Sequence, residues 1–157
     1  MKLTAKTSQI HPSTKTERNL AASDKKTINI ACMSSDCLFC NMPQERIVLE
    51  NDLAYAIRDG YPVTEMHSLV VPKRHVKEYF DLTTDELLAC DQLIRSLKQE
   101  ISNSDSSVDG FNIGMNAGES AGQTIFHCHI HLIPRRTGDV ENPRGGVRRI
   151  IPGKGDY

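Results

Sequence analysis

The chain has 157 residues, of which 38% are hydrophobic and 25% are charged, and its 19 basic and 20 acidic side chains give a formal net charge of -1. This length fits one globular domain and leaves no room for a second. The near-zero charge excludes the broad basic surface of a dedicated nucleic-acid binder, and no apolar run approaches the roughly 20 residues that a membrane span requires.

Residues 1–34 are rich in Ser, Thr and Lys and poor in large apolar side chains. Such a composition cannot offset the entropy lost on ordering, so we expect a disordered or loosely packed arm. The arm has neither the apolar stretch of a secretory signal nor the Arg-rich pattern of a transit peptide. The five cysteines (Cys32, Cys37, Cys40, Cys90 and Cys128) form an odd set without a regular framework. Together these features favour reduced thiols and a cytoplasmic location.

The central region alternates β-rich runs with one amphipathic segment. Strand-like runs lie at 46–50, 52–58, 67–71, 111–115 and 124–133; Asn51 forms the first turn, and Pro134 closes the last strand. Residues 85–101 place apolar side chains at helical spacing, namely Leu87, Cys90, Ile94, Leu97 and Ile101. Thr83 and Glu86 fit a capping box at the start of this helix. We therefore predict an α+β fold, an antiparallel sheet of about five strands with one long helix packed on it.

Three of the six histidines alternate along the last predicted strand, at His127, His129 and His131. Because successive side chains of a strand point to opposite faces, the pattern places three imidazoles on one face, about 7 Å apart. The other face then carries Cys128, Ile130 and Leu132, which we expect to face the core. Imidazole is a nucleophile, a proton donor or a metal ligand near neutral pH. Three in alternation therefore indicate a functional site.

Two chemistries fit this row. A metal would take two alternate histidines as ligands with a third ligand from elsewhere, whereas in covalent catalysis a central imidazole attacks an electrophile and a neighbour protonates the leaving group. The residues before the strand favour the second chemistry, because they supply amide, hydroxyl and backbone N–H donors that suit phosphate oxygens. These residues are Asn116, Gly118, Gly122, Gln123 and Thr124.

Residues 122–136 read GQTIFHCHIHLIPRR, which resembles the histidine-triad (HIT) signature of three histidines separated by apolar residues. Further matches lie at 56–59, 67–75 and 112–116, so the resemblance covers about residues 37–136, and the segment from Gly138 onward resembles the tail of a bacterial HIT subgroup. One departure is Met66 before His67, where the family usually has Gly. The resemblance implies a HIT-like fold, including a short second helix. It also suggests three segments: the arm at 1–34, a HIT catalytic domain at 35–137 and an extended Gly/Arg-rich tail at 138–157.

The resemblance implies a nucleotide hydrolase that acts at the α-phosphate of dinucleoside polyphosphates or nucleoside phosphoramidates. His129 would be the nucleophile, with His127 and His131 as the other catalytic histidines and no catalytic cofactor. Asp59 would contact the ribose. Three further residues, Asn116, Gln123 and Thr124, would hold phosphate oxygens or orient the nucleophile. His131 occupies a position where sugar-phosphate nucleotidylyltransferases carry Gln, which favours the hydrolase branches. The family is also typically homodimeric, with the sheets of two subunits joined.

Cys37 and Cys40 have the spacing that two thiolates use for tetrahedral zinc, although one such pair without a second is weak evidence for a zinc site. Some bacterial members of the family hold a structural zinc, and this resemblance implies Cys37, Cys40, His75 and His127 as its ligands here. Two rival functions stay open at this point. One is a metal-dependent hydrolase that uses the histidine row as ligands, and the other is a zinc-stabilised nucleotide-binding module with little turnover.

Overall fold

The computed structural model describes residues 36–155. Five strands and one α-helix form the framework. The strands are β1 (Ile47–Glu50), β2 (Ala54–Arg58), β3 (Ser68–Pro72), β4 (Val108–Gly114) and β5 (Ile130–Arg136), and the helix is α1 (Thr84–Ser104). Short 3-10 turns lie at Gln44–Arg46, Tyr79–Asp81, Glu119–Ala121 and Gly146–Ile150. No helix among residues 36–155 is long and apolar enough to cross a membrane.

All five strands join one antiparallel sheet in the order β1-β2-β3-β5-β4. The predicted first hairpin is confirmed, and Asn51 forms its turn as expected. The Asn51 side-chain oxygen accepts hydrogen bonds from the backbone N–H groups of Leu53 and Ala54, at 3.1 and 2.9 Å. This local bonding lets a short polar residue reverse the chain.

Helix α1 begins with the predicted capping box. The Thr83 hydroxyl accepts from the backbone N–H of Glu86, and the Glu86 carboxylate accepts from the backbone N–H of Thr83. The same carboxylate forms a two-armed ion pair with Arg74, at 2.7 Å for each arm. Glu86 is only 4% exposed, so this ion pair ties the start of α1 to the segment that follows β3.

The sheet separates two apolar clusters. Helix α1 packs its buried face, including Cys90, Leu97 and Ile101, against one side of the sheet. On that side lie Cys128, Ile130 and Leu132, which are buried as the alternation predicted. On the opposite side a second cluster contains Phe39, Tyr55, Ile57, Leu69 and Val71. The functional side chains described below lie on this second side, which α1 does not cover.

The predicted bounds of the last strand were wrong. The last strand does not span 124–133: it begins at Ile130 and continues through Pro134 to Arg136. β5 pairs with β3 only as far as Leu132, so at Pro134 it pairs with β4 alone. Proline, which has no backbone N–H to donate, is tolerated where a strand has a neighbour on one side only. Beside the one long helix, the helical elements within residues 36–155 are short 3-10 turns, one of which, Gly146–Ile150, lies in the tail. The predicted arm at 1–34 lies outside the described residues, and the division into three segments stays a prediction.

Candidate active site and metal cluster

The three histidines do not form a row on one strand. His127 and His129 precede β5, and their segment runs beside the residues that follow β3. The Cys128 N–H donates to the Val76 carbonyl at 2.7 Å, and His127 Nε2 lies 2.9 Å from the Pro72 carbonyl. These bonds hold the segment away from ideal strand geometry. The imidazoles therefore face three different sets of partners, which removes the geometry that a row of metal ligands would need.

The surroundings of His129 determine which of its ring nitrogens carries the proton. Its Nδ1 lies 2.8 Å from the backbone carbonyl of His127, and a carbonyl only accepts, so Nδ1 carries the proton. The neutral ring then has its lone pair on Nε2. The ring is 8% exposed and packs 5.1 Å from the Phe39 ring between centroids. This fixed tautomer in a confined position suits a nucleophile.

His131 takes part in a second arrangement. Its Nδ1 lies 3.0 Å from Nε2 of His67, and Nδ1 of His67 lies 3.3 Å from Oδ2 of Asp59. Burial lowers the pKa of His67 and, together with the nearby His129 and His67 rings, lowers the pKa of His131 to about 4. Both rings are thus predominantly neutral at pH 7. The His129 and His131 ring centroids are 5.2 Å apart, which is close enough for both to face one substrate.

His67 is the functional candidate that sequence reasoning missed. It was placed on a short strand and matched to a family motif, but no role was assigned to it. A lone histidine at a strand start is most often structural, so the sequence offers little signal. Asp59 is the residue that could have indicated it. Asp59 follows one strand of the predicted hairpin and His67 precedes the next, and residues at these positions are neighbours in an antiparallel pair.

The loop before the histidines is built around Gln123. Its side-chain amide donates to the carbonyls of Lys77 and Ile125, at 2.7 and 3.1 Å, and its oxygen accepts from the Gly118 N–H at 2.8 Å. Gln123 is 3% exposed, so in this structure it braces the loop and does not present its amide to a ligand. The loop turns at Gly118 and Gly122, with φ values of 87° and 86° that favour glycine.

Two other predicted phosphate contacts lie at different places. Asn116 lines a cavity of about 560 Å³ together with His67 and His131. Its side-chain amide is 3.4 Å from the Gly122 carbonyl. Thr124 is exposed, on the loop that leads to the histidine segment. The structure therefore brings His67, His131 and Asn116 together around one cavity, with Asp59 in contact with His67, and leaves Thr124 at the surface.

His127 faces a cluster of potential metal ligands. Its Nδ1 lies 3.4 Å from the Cys37 sulfur and 3.6 Å from the Cys40 sulfur, and Cys40 lies 3.2 Å from Nδ1 of His75. Ligand atoms of these four residues all lie within 4.8 Å of one another. A tetrahedral zinc with bonds of about 2.3 Å to sulfur and about 2.0 Å to nitrogen separates S and N ligands by roughly 3.5 Å. The cluster is therefore compatible with a structural zinc.

The protonation of His127 also fits a ligand. Its Nε2 donates to the Pro72 carbonyl, so the lone pair lies on Nδ1, which faces the two sulfurs. Burial lowers the pKa of His127 to about 4, which keeps the ring neutral at pH 7. His127 has 0% exposure, so its ring is enclosed by protein. A catalytic role for His127 stays a prediction.

Three cysteines among residues 36–155, Cys37, Cys90 and Cys128, have free thiols. A metal binds the thiolate form of a cysteine ligand. Cys90 and Cys128 are buried free thiols, and burial raises their pKa values to about 12 and about 11. They behave as small apolar side chains of the core.

Known proteins resemble this chain in sequence and fold. The HIT domain family model matches residues 42–138. The chain is similar to an uncharacterized HIT-like protein of Saccharolobus solfataricus, with 34% identity over 72% of this chain and 84% of the relative. It is also similar to the bis(5'-adenosyl)-triphosphatase of Dictyostelium discoideum, with 39% identity over 63% of this chain and 66% of the relative. The crystal structure of a Zn-bound histidine triad family protein from Mycobacterium smegmatis superposes with a TM-score of 0.60 at 34% identity, covering 66% of this chain and 78% of that one. The chain belongs to the HIT domain family.

Proposed function

We propose that this protein hydrolyses nucleotides at the α-phosphate through a covalent nucleotidyl-histidine intermediate on His129. The observation that carries the proposal is the 2.8 Å contact between His129 Nδ1 and the His127 carbonyl. It leaves the Nε2 lone pair as the nucleophile without any need for a base to remove a proton. The substrates would be dinucleoside polyphosphates or nucleoside phosphoramidates.

The reaction has two displacements. In the first, the His129 Nε2 lone pair forms a bond to the α-phosphorus, and the bond from phosphorus to the leaving group breaks with its electron pair. The imidazolium form of His131, whose ring centroid is 5.2 Å from that of His129, donates a proton to the departing atom and becomes neutral. In the second, a water oxygen attacks the same phosphorus and gives a proton to His131, and His129 leaves with its lone pair restored.

The cavity of about 560 Å³ beside His131 suits a nucleoside. Apolar side chains such as Ile113, Met115 and Val147 line it together with Asn116 and His67, and a mostly apolar lining with a few polar groups is typical of small-molecule sites. Asp59 at the end of β2 is the candidate for a ribose contact. The named activity of the Dictyostelium relative is consistent with a dinucleoside polyphosphate.

The test uses His129→Ala against the parent protein, with diadenosine triphosphate and adenosine 5'-phosphoramidate as substrates. We expect loss of turnover of at least about 1,000-fold, because no other group replaces a covalent nucleophile. Titration with AMP should still show binding, since the pocket remains. Asp52→Asn, on the exposed turn after β1, is the matched control and should keep parental turnover. Equal turnover by His129→Ala would rule out the covalent mechanism.

We further propose that reduced protein binds one structural zinc through Cys37, Cys40, His75 and His127. The S-to-N distances of 3.2–3.6 Å and the lone pair of His127 aimed at the sulfurs support it. Bound zinc would contribute folding free energy and join residues 37–40 to the histidine segment. Metal analysis of protein purified under reducing conditions should find close to one zinc per chain. Less than about a tenth of an equivalent would contradict the proposal.

We also propose a homodimer in which two sheets join. Strands β1 and β4 are the outer strands of the sheet, and β4 is the longer, with seven residues and an exposed Ile113. An unpaired edge of this length is suited to pairing with a second copy. Sedimentation equilibrium should give twice the chain mass of 17.5 kDa. A monomer at micromolar concentration would refute the dimer without affecting the catalytic proposal.

A further inference from the structure

We infer that Gly114 and the tail segment 143–155 form two walls of a slot beside His131, and that this slot holds the leaving nucleotide of a dinucleoside polyphosphate. The inference rests on the proposed function and deepens it, because it chooses between the two substrate classes proposed above. Adenosine 5'-phosphoramidate releases ammonia, which would leave most of the slot unfilled.

The slot is the cavity of about 560 Å³ that begins at His131. In the proposed reaction His131 gives a proton to the departing atom, so the group that departs lies against His131. Asp59, the candidate ribose contact, faces Nδ1 of His67, whereas His131 faces Nε2 of the same ring. The nucleotide that is attacked, with its ribose at Asp59, and the leaving group therefore lie on different sides of the site.

Gly114 supplies one wall by having no side chain. It is the last residue of β4 and pairs with His131 across the sheet. Cross-strand partners share a face of the sheet, so a side chain at position 114 would project beside the His131 ring. Among residues 36–155, no heavy atom beyond the chain neighbours lies within 4 Å of a Cβ placed on Gly114. The glycine therefore leaves open space directly beside the proton donor.

The slot extends along β5, away from His131. His131, Ile133 and Arg135 alternate along this strand and all line the cavity, so the cavity follows β5 for about 13 Å at the usual rise. Asp139 orients Arg135 at the far end by accepting from two of its nitrogens, at 2.7 Å each. This length and a volume typical of sites for ligands of drug size fit a nucleotide and far exceed ammonia.

Residues 143–155, here called the tail wall, form the other side of the slot. The Arg148 N–H donates to the Gly145 carbonyl at 2.6 Å, and the Ile151 N–H donates to the Arg148 carbonyl at 3.4 Å. Gly145 has a φ of 76°, and a Cβ there would overlap the Gly155 carbonyl, so glycine lets the two ends of the segment meet. These contacts give the tail wall a defined shape against the cavity.

The chemistry of the tail wall suits a nucleotide. Val147 and Ile150 line the cavity and are 64% and 77% exposed, so they offer apolar surface that a base can cover. The segment contains three arginines, one lysine and no acidic residue. A polyphosphate bridge is strongly negative, whereas the amine released by a phosphoramidate carries no negative charge. The positive charge of the tail wall therefore favours the polyphosphate.

The test compares diadenosine tetraphosphate with adenosine 5'-phosphoramidate, which transfer the same adenylyl group and differ only in the leaving group. One variant is Gly114→Val, which adds a side chain to the slot. The other combines Val147→Ser with Ile150→Ser and removes apolar surface from the tail wall. Leu88→Ser on α1 is the matched control, since Leu88 is an apolar side chain with 56% exposure. The measured quantity is kcat/KM for each substrate, which reports transition-state stabilisation relative to free enzyme and substrate.

We expect both slot variants to lower the ratio of kcat/KM for the tetraphosphate to that for the phosphoramidate by about tenfold or more, through overpacking in one and lost apolar contact in the other. The control should keep the parental ratio. An unchanged ratio, or equal slowing of both substrates, would overturn the inference. Thermal unfolding shows which variants fold, and if Gly114→Val does not fold, the tail-wall variant decides. A parent protein that hydrolyses neither substrate would instead contradict the proposed function.

Discussion

The backbone carbonyl of His127 accepts a hydrogen bond from Nδ1 of His129, while the His127 side chain faces the sulfurs of Cys37 and Cys40. His127 thus belongs to the Cys/His cluster through its ring and to the proposed catalytic site through its carbonyl. Anything that releases the His127 ring also frees the carbonyl that fixes the tautomer of His129. Under the proposed mechanism, the cluster therefore affects both stability and turnover.

Cys37→Ser tests this connection. The change removes a thiolate ligand, so we expect loss of zinc from reduced protein, a lower melting temperature and slower turnover as the His127 segment loosens. Cys90→Ala is the matched control, because it removes a buried thiol outside the cluster. It should lose stability through packing but keep its zinc. If Cys37→Ser retained a full equivalent of metal, the ligand assignment would be wrong.

Glu86→Gln tests the half-buried ion pair that joins α1 to the segment before His75. Arg74 would be left beside an uncharged group, and because the Arg74 side chain is 37% exposed and screened by water, we expect a cost of about 1–3 kcal/mol, below that of a fully buried pair. The exposed pair of Arg95 and Asp91 on the same helix provides the control, since Asp91→Asn should cost about 0.5 kcal/mol or less. Urea unfolding of both variants measures the difference. Equal losses of unfolding free energy in the two variants would show that the Glu86 pair stabilises the protein no more than the exposed pair does.

Gln123→Ala tests whether this residue braces the loop. The substitution leaves the Gly118 N–H and the carbonyls of Lys77 and Ile125 without this partner, and we expect a loss of about 1–3 kcal/mol in the free energy of unfolding. Gln99 lies on the exposed face of α1, and its side-chain amide donates to the Asn103 side chain one turn along the helix. Gln99→Ala should therefore change stability by less than about 0.5 kcal/mol. A Gln123 variant as stable as its control, but with weaker nucleotide binding, would favour a direct phosphate contact instead.

Stability should fall in mild acid because of the site histidines. The folded-state pKa of His131 is about 4 against 6.5 for the free side chain, and that of His67 is also lowered. The folded protein therefore binds these protons more weakly than the unfolded chain, so their contribution is complete above pH 6.5 and is lost as pH falls towards 4. For His131 alone the loss is on the order of 3 kcal/mol.

The measurement for this pH effect is the free energy of unfolding between pH 7 and pH 4 for the parent and for His131→Asn. Asparagine does not titrate, so the variant should show a smaller acid loss than the parent. Identical pH dependence of the two proteins would mean that His131 is not buried as described.

The sheet and the long helix were predictable because their signals are local. The period of apolar residues in α1 and the pairing of Thr83 with Glu86 depend only on neighbours within a few positions. The same holds for the Asn51 turn. The alternation around the histidines also predicted which residues face the core, and Cys128 and Leu132 are buried on that side.

The division of roles among the histidines was not predictable from alternation. Apolar alternation continues through His127 and His129 although neither residue is in a strand, because the bonds to Pro72 and Val76 come from a distant segment. The position of His67 between Asp59 and His131 likewise depends on the pairing of β2 with β3 and of β3 with β5. One local feature of this turn is visible in the sequence. Met66 occupies a position where the family usually has Gly, and its φ of 61° lies in the left-handed region that favours glycine.

The most direct test of the central claim is to trap the intermediate. The protein is mixed with radiolabelled diadenosine triphosphate, quenched within one turnover and digested, and the labelled peptide is sequenced by mass spectrometry. We predict one AMP attached to the peptide that contains His129, with the mass increment on that residue, and no label in His129→Ala. Stable label on any other residue, or hydrolysis at the parental rate by His129→Ala, would contradict the mechanism.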